Sequence, residues 1–243
     1  MLTSLDIETQ QIFCGAKAIL GRLDSLTNIR NLKIRQEHND HLNLPKFQVS
    51  PYQMLEKVCL ERHISLECTV SASPETPDEM TCEFDCLAVF ARTITKLNLT
   101  CQGRPLVQID RQRPLYFPKL LHLSVHPIDI LVMDSSSSYE EHWKLAEVDI
   151  LRPLLGRLVC PNLKTLECKP YLVKENAVGV YDDLERVLQE GMYPSLESLE
   201  GRLYAVPGMP AGVAQALHQR LRVACQSAGV DYSKIDFIVP DEE

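Results

Sequence analysis

An α/β chain built from repeated strand and helix units is predicted by three observations. A short apolar triplet recurs along 243 residues, amphipathic helix-like segments fill most of the gaps between its copies, and polar residues alternate with the apolar ones inside each copy. The clearest copy is "CPNLKTLECKP", residues 160–170, with Leu163, Leu166 and Cys168 at a spacing of three then two. The same spacing is met by Ile29, Leu32 and Ile34, by Ile94, Leu97 and Leu99, and by Leu120, Leu123 and Val125. Leu196 and Leu199 fit with Gly201 in the last place, and Leu66 and Cys68 fit with His63 in the first.

The intervening segments are read in chain order. Ile12, Phe13, Ala16, Ile19, Leu20 and Leu23 form an apolar stripe at intervals of three and four, which predicts an N-terminal helix. Ser50 as cap and Pro51 in the first turn open a second helix, with Met54, Leu55 and Val58 on its inner side. Phe84, Leu87 and Phe90 mark a third stripe. Ser138 and Glu141 make a capping box for a helix carrying Trp143, Leu145, Val148 and Ile150, which Pro153 bends. Leu184, Val187 and Leu188 line a short helix stopped by Gly191, and "AGVAQALHQRLRVACQSAG" is a longer one followed by the strand-like "KIDFIV". Residues 100–119 read as extended connection.

A strand, helix, parallel strand succession on this pattern stacks into a sheet whose apolar rungs bury one another. The triplets match the L-x-x-L-x-L consensus, and the chain here resembles the irregular leucine-rich repeats. The long spacings, proline before the leading leucine in "FPKL", "CPNL" and "YPSL", and abundant cysteine are similar to the substrate-recognition region of fungal F-box proteins with leucine-rich repeats. The resemblance covers roughly residues 25–204 and implies a solenoid with parallel strands on the concave face and helices on the convex face. The expected organisation is one domain over 1–243, with a capping helix in 1–24, irregular repeats in 25–204, and a C-terminal helix and strand cap in 205–243. The F-box itself, an "LPxE" start with two further amphipathic helices, is not visible, so an adaptor of the ubiquitin machinery is expected as a partner only where an F-box is present.

Composition narrows the function classes. A net charge of -8 with no basic run argues against a nucleic-acid surface. No membrane-length apolar stretch and no secretory leader pattern occur, so a cytoplasmic or nuclear location is expected. Nine scattered cysteines then read as small buried hydrophobes, including Cys82 with Cys86, Cys160 and Cys168. "EHNDH", Glu37 to His41, is the best metal-like cluster, but it lacks a second ligand pair and reads as a hydrated loop. Phosphate-binding glycine motifs and a serine-nucleophile elbow are absent, the Ser-rich run before Tyr139 reads as a loop, and Pro74 and Pro77 mark an acidic insertion. No catalytic residue, cofactor or metal site is therefore expected.

Successive strand residues point to opposite sides, so residues alternating with the triplets face outward. Just before the middle apolar position these are Asn31, Ser65, Lys96, His122, Thr165 and Ser198; between the last two positions they are Lys33, Glu67, Asn98, Ser124, Glu167 and Glu200; beyond the triplet they are Arg35, Thr69, Thr100, His126, Lys169 and Arg202. The expected partner-binding set is Lys33, Arg35, Glu67, Asn98, His122, Ser124, His126, Thr165, Glu167, Lys169, Glu200 and Arg202. The expected function is a non-catalytic protein-interaction module, a candidate substrate receptor of an F-box-type ubiquitin ligase. The alternatives are an α/β-sheet enzyme of unknown reaction and a purely structural scaffold.

Overall fold

The computed structural model of the chain describes residues 2–9, 12–36, 49–72, 87–88, 90–102, 114–128, 155–168, 174–204 and 210–238. Ten strands and four long helices are found among them. The strands are β1 (Ser4–Thr9), β2 (Asn31–Gln36), β3 (Ser65–Ala72), β4 (Ile94–Gln102), β5 (Leu115–Tyr116), β6 (His122–Ile128), β7 (Leu158–Val159), β8 (Thr165–Cys168), β9 (Ser198–Tyr204) and β10 (Ile235–Ile238). The helices are α1 (Ile12–Ser25), α2 (Val49–Glu61), α3 (Lys174–Gln189) and α4 (Ala211–Ala228).

Eight strands form one parallel sheet in the order β1-β2-β3-β4-β6-β8-β9-β10, and β5 pairs with β7 in a parallel two-stranded sheet. The large sheet never reverses its order along the chain. Each strand lies beside the next one of that sheet.

The triplets supply the helix-facing side. Ile29, Leu32 and Ile34, Ile94, Leu97 and Leu99, Leu120, Leu123 and Val125, and Leu163, Leu166 and Cys168 are all buried. They share one core with Ile19 and Leu23 of α1, Leu55 and Cys59 of α2, Leu184, Val187 and Leu188 of α3, and Leu217, Leu221 and Cys225 of α4. Burial of a single leucine side chain stabilises by about 1.5–3 kcal/mol, so a ladder of them dominates the favourable side of folding.

The proline before three of the triplets makes a tight turn. The Leu120 amide donates to Phe117 O (3.4 Å), the Leu163 amide to Cys160 O (3.2 Å) and the Leu196 amide to Tyr193 O (3.0 Å). In each case proline stands second in the four-residue turn, where its fixed φ suits a type I or II bend. Phe117, Cys160 and Tyr193 go inward with the leucine three residues later, so the turn inserts two apolar side chains rather than one. Asn162 ties adjacent turns together by donating from Nδ2 to Pro118 O at 2.7 Å.

Five features differ from the sequence expectation. The first 24 residues hold strand β1 ahead of the helix, and β1 pairs with β2 from Ser4 with Asn31 to Thr9 with Gln36. The second helix begins at Val49, and Met54 faces solvent while Cys59 takes the inner position with Leu55. The helix carrying Leu184, Val187 and Leu188 is longer than expected, beginning at Lys174. Ile64, not His63, fills the leading position before β3, and His63 turns the chain with φ 55°. The fifth is a register shift between β3 and β4, described below.

Gly201 replaces the last apolar residue of its triplet for a steric reason. It adopts φ 141°, and a Cβ there would sit 1.7 Å from Cys168 O on the neighbouring strand. Only glycine lets β9 approach β8 so closely while also pairing with Ile235 of β10. The third stripe is described only in part, with Leu87 and Phe90 buried. Phe84, the capping box at Ser138, the helix from Trp143 to Ile150 and Pro153 lie outside the described residues, as do Glu37 to His41, Cys82 and Cys86, the acidic insertion and the Ser-rich run.

Candidate partner-binding face

The polar face of the sheet is organised by cross-strand register. Between β3 and β4 the pairing slips, so that Leu66 lies opposite Ile94 while Glu67 lies opposite Lys96 and Thr69 opposite Asn98. The outward rows therefore do not continue as triplet spacing alone predicts. One row runs Asp6, Lys33, Glu67, Lys96, His122, Thr165, Ser198. The next runs Glu8, Arg35, Thr69, Asn98, Ser124, Glu167, Glu200. Lys33 and Glu67 thus share a row with His122 and Thr165, whereas Asn98, Ser124, Glu167 and Glu200 share one with Arg35.

The second row is bound to itself and its flanks. Arg35 donates to both carboxylate oxygens of Asp6, from Nε at 3.1 Å and from Nη2 at 2.9 Å. Asn98 Nδ2 donates to Thr69 Oγ1 at 3.2 Å. Ser124 Oγ donates to Glu167 Oε2 at 2.6 Å and lies 2.6 Å from His126 Nε2. Having given its only proton to the carboxylate, the hydroxyl accepts from the imidazole. Ser124 is only 4 % exposed, so these side chains close over it. Glu200 accepts from Ser198 Oγ (3.0 Å) and from Lys234 Nζ (2.7 Å), and the Lys234 bond does most to hold its carboxyl below the ordinary value. Arg202, further along β9, lies 3.5 Å from Asp236 of β10.

Ser124, His126 and Glu167 carry the residue types of a hydrolytic triad, but not its order. A serine nucleophile needs imidazole between hydroxyl and acid, so that the ring takes the hydroxyl proton. Here the hydroxyl lies between imidazole and carboxylate, on the adjacent parallel strands β6 and β8.

The first row differs. Lys33, Glu67 and Lys96 are half-buried, His122 is exposed, and none of the four forms a hydrogen bond or ion pair with the described residues. Thr165 beside them is half-buried. Lys169, the remaining expected binding residue, lies outside the described residues. Sequence reasoning missed the partners Asp6, Lys234 and Asp236 because they sit on β1 and β10 or their lead-ins, outside the triplet series. It grouped Lys96 with Asn31 and Ser65 instead of Lys33 and Glu67 because the slip at Leu66 is invisible within either strand.

The described thiols are core groups. Burial pushes Cys59, Cys68, Cys160 and Cys168 up to about 12 and Cys225 up to about 11. At neutral pH such thiols hold no appreciable thiolate and do not act as nucleophiles. Among the described residues no group of three or more His, Cys, Asp or Glu is placed to hold a metal ion, and no helix is long and apolar enough to cross a membrane. No protein-family model matches the chain, and no curated protein matches it.

Proposed function

We propose that the protein is a non-catalytic interaction module of leucine-rich-repeat type that captures a protein partner on the polar face of its sheet. The observation that carries this reading is the unreversed order of the eight strands, with the apolar residues sharing the helix core and the polar alternates on the other side. Repeat solenoids have this order and use the strand face for recognition. Doubly wound enzymes instead bind their ligands where strand order reverses. The mixed donors and acceptors of the two rows suit a polypeptide surface, whose own groups are equally mixed.

Within this reading, the role of substrate receptor for an F-box-type ubiquitin ligase rests on the resemblance in "FPKL", "CPNL" and "YPSL". Two experiments separate the levels. Cross-linking in the native cell, followed by reconstitution with the purified partner, is expected to show binding that Lys33→Glu and Arg202→Glu weaken without changing the melting temperature. Binding unchanged by both substitutions overturns the face assignment. Co-purification with the ubiquitin-ligase adaptor supports the receptor role, and its failure with the complete native protein removes that role while leaving the interaction module.

A further inference from the structure

The two outward rows are not equivalent as binding surfaces. The row through Ser124 spends its hydrogen bonds internally, whereas Lys33, Glu67 and Lys96 hold three successive register positions on β2, β3 and β4 with no hydrogen-bonded or ionic partner among the described residues. A half-buried charge without a partner keeps only part of its hydration, so it gains more than a fully solvated one from an incoming counter-charge. The two lysines flank one carboxylate, which makes the short row a positive, negative, positive pattern on a chain of net charge -8.

Geometry selects the ligand that completes this pattern. Neighbouring strands lie about 4.8 Å apart, which puts Lys33 and Lys96 roughly 9.6 Å from each other across two strand steps. A polyproline II segment turns once every three residues and rises about 9.3 Å in doing so, so side chains three apart project from the same side at almost that distance. An extended strand offers same-side residues at about 6.8 Å or about 13.6 Å, neither of which matches. We infer that the row Lys33, Glu67, Lys96 receives an acidic peptide in polyproline II conformation, with carboxylates at positions i and i+3 set on the two lysines. Glu67 faces the residues between them. It accepts from a backbone N–H, which polyproline II leaves free of internal bonds, and it repels a third carboxylate at i+1 or i+2.

This inference rests on the proposed interaction-module reading and specifies the partner's chemistry at that same face. The test uses the full chain and fluorescein-labelled twelve-residue peptides on a Pro-, Ser- and Gly-containing framework, read by anisotropy. Glutamates at i and i+3 are expected to bind more tightly than glutamates at i and i+2 or i and i+5, and a third glutamate at i+1 is expected to weaken binding. Lys33→Glu and Lys96→Glu are each expected to reduce affinity about five- to tenfold. The double variant is expected to prefer a peptide with lysines at i and i+3. Melting curves of the variants verify that the fold is kept.

Indifference to spacing, or binding unaffected by both substitutions, overturns the inference. A random twelve-residue display library separates its failure from that of the broader reading. Enriched peptides that depend on His122 or Arg202 but not on the lysines overturn the acidic-peptide assignment and keep the interaction module. Enrichment insensitive to every substitution on this face overturns both.

Discussion

Leu97, Leu123 and Leu166 stand at equivalent places on the helix side of the sheet and are all fully buried, while the residues that follow them, Asn98, Ser124 and Glu167, are three different chemical types on the other side. The buried side repeats because each leucine meets another rung of the same shape, and interior packing admits few alternatives. The polar side varies because nothing in the stacking requires a given residue there. Information that is not about shape therefore accumulates on one face, and within it at Lys33, Glu67 and Lys96, which form no hydrogen bond or ion pair among the described residues.

This contrast can be pressed hardest at Gly201, where both faces meet a steric limit. Gly201→Ala puts a methyl group into Cys168 O, and we expect a loss of more than about 4 kcal/mol or of cooperative unfolding altogether, measured by urea denaturation. Leu166→Ala leaves a cavity between β8 and the helices and is expected to cost about 2–5 kcal/mol in the same experiment. Ser124→Ala on the opposite face removes the donor to Glu167 and the acceptor for His126, with an expected loss of about 1–3 kcal/mol. A double-mutant cycle with Glu167→Gln then reads the coupling directly. Lys33→Ala and Glu67→Ala are expected to leave stability within about 0.5 kcal/mol, since they break no bond among the described residues. A cost as large as that of Ser124→Ala would erase the distinction between the rows.

A smaller effect concerns pH at the C-terminal edge. His218 of α4 stacks on Phe237 of β10 with centroids 4.7 Å apart, and burial, with Arg222 nearby, lowers its affinity for a proton. The unfolded chain then binds that proton more readily than the folded one. The contribution of neutral His218 is full above the unperturbed value near 6.5 and is lost as pH falls from there through the lowered folded value. Thermal melting between pH 7.5 and 5 should therefore show a fall in stability that His218→Phe diminishes.

Much of the architecture was legible in the sequence because its signal is local. Alternation with period two and the turn chemistry of Pro118, Pro161 and Pro194 are written within a few residues of one another, and each buried triplet followed from them. What was not legible depends on other parts of the chain. Strand β1 offers only Leu5 and Ile7 on its inner side, both half-buried at a sheet edge, which is too little alternation to stand out. Ile64 displaces His63 from the core because the chain turns left-handed at His63, a choice the apolar count alone does not reveal. The slip opposite Leu66 is a property of pairing, and a shift between two strands leaves no mark in either. It is nevertheless what places Lys96 rather than Asn98 beside Glu67, so the row Lys33, Glu67, Lys96 emerged only with the sheet.

The order of the strands also has a mechanical consequence. β1 and β10 occupy opposite edges of the sheet and are its first and last strands in sequence order, so tension applied between them pulls across the strands. Load then falls on one ladder of hydrogen bonds at a time, as in opening a zip, instead of shearing all eight together. Such a molecule should yield at low force from its margins inward, surrendering one strand and its connection per step while the middle of the sheet stays whole.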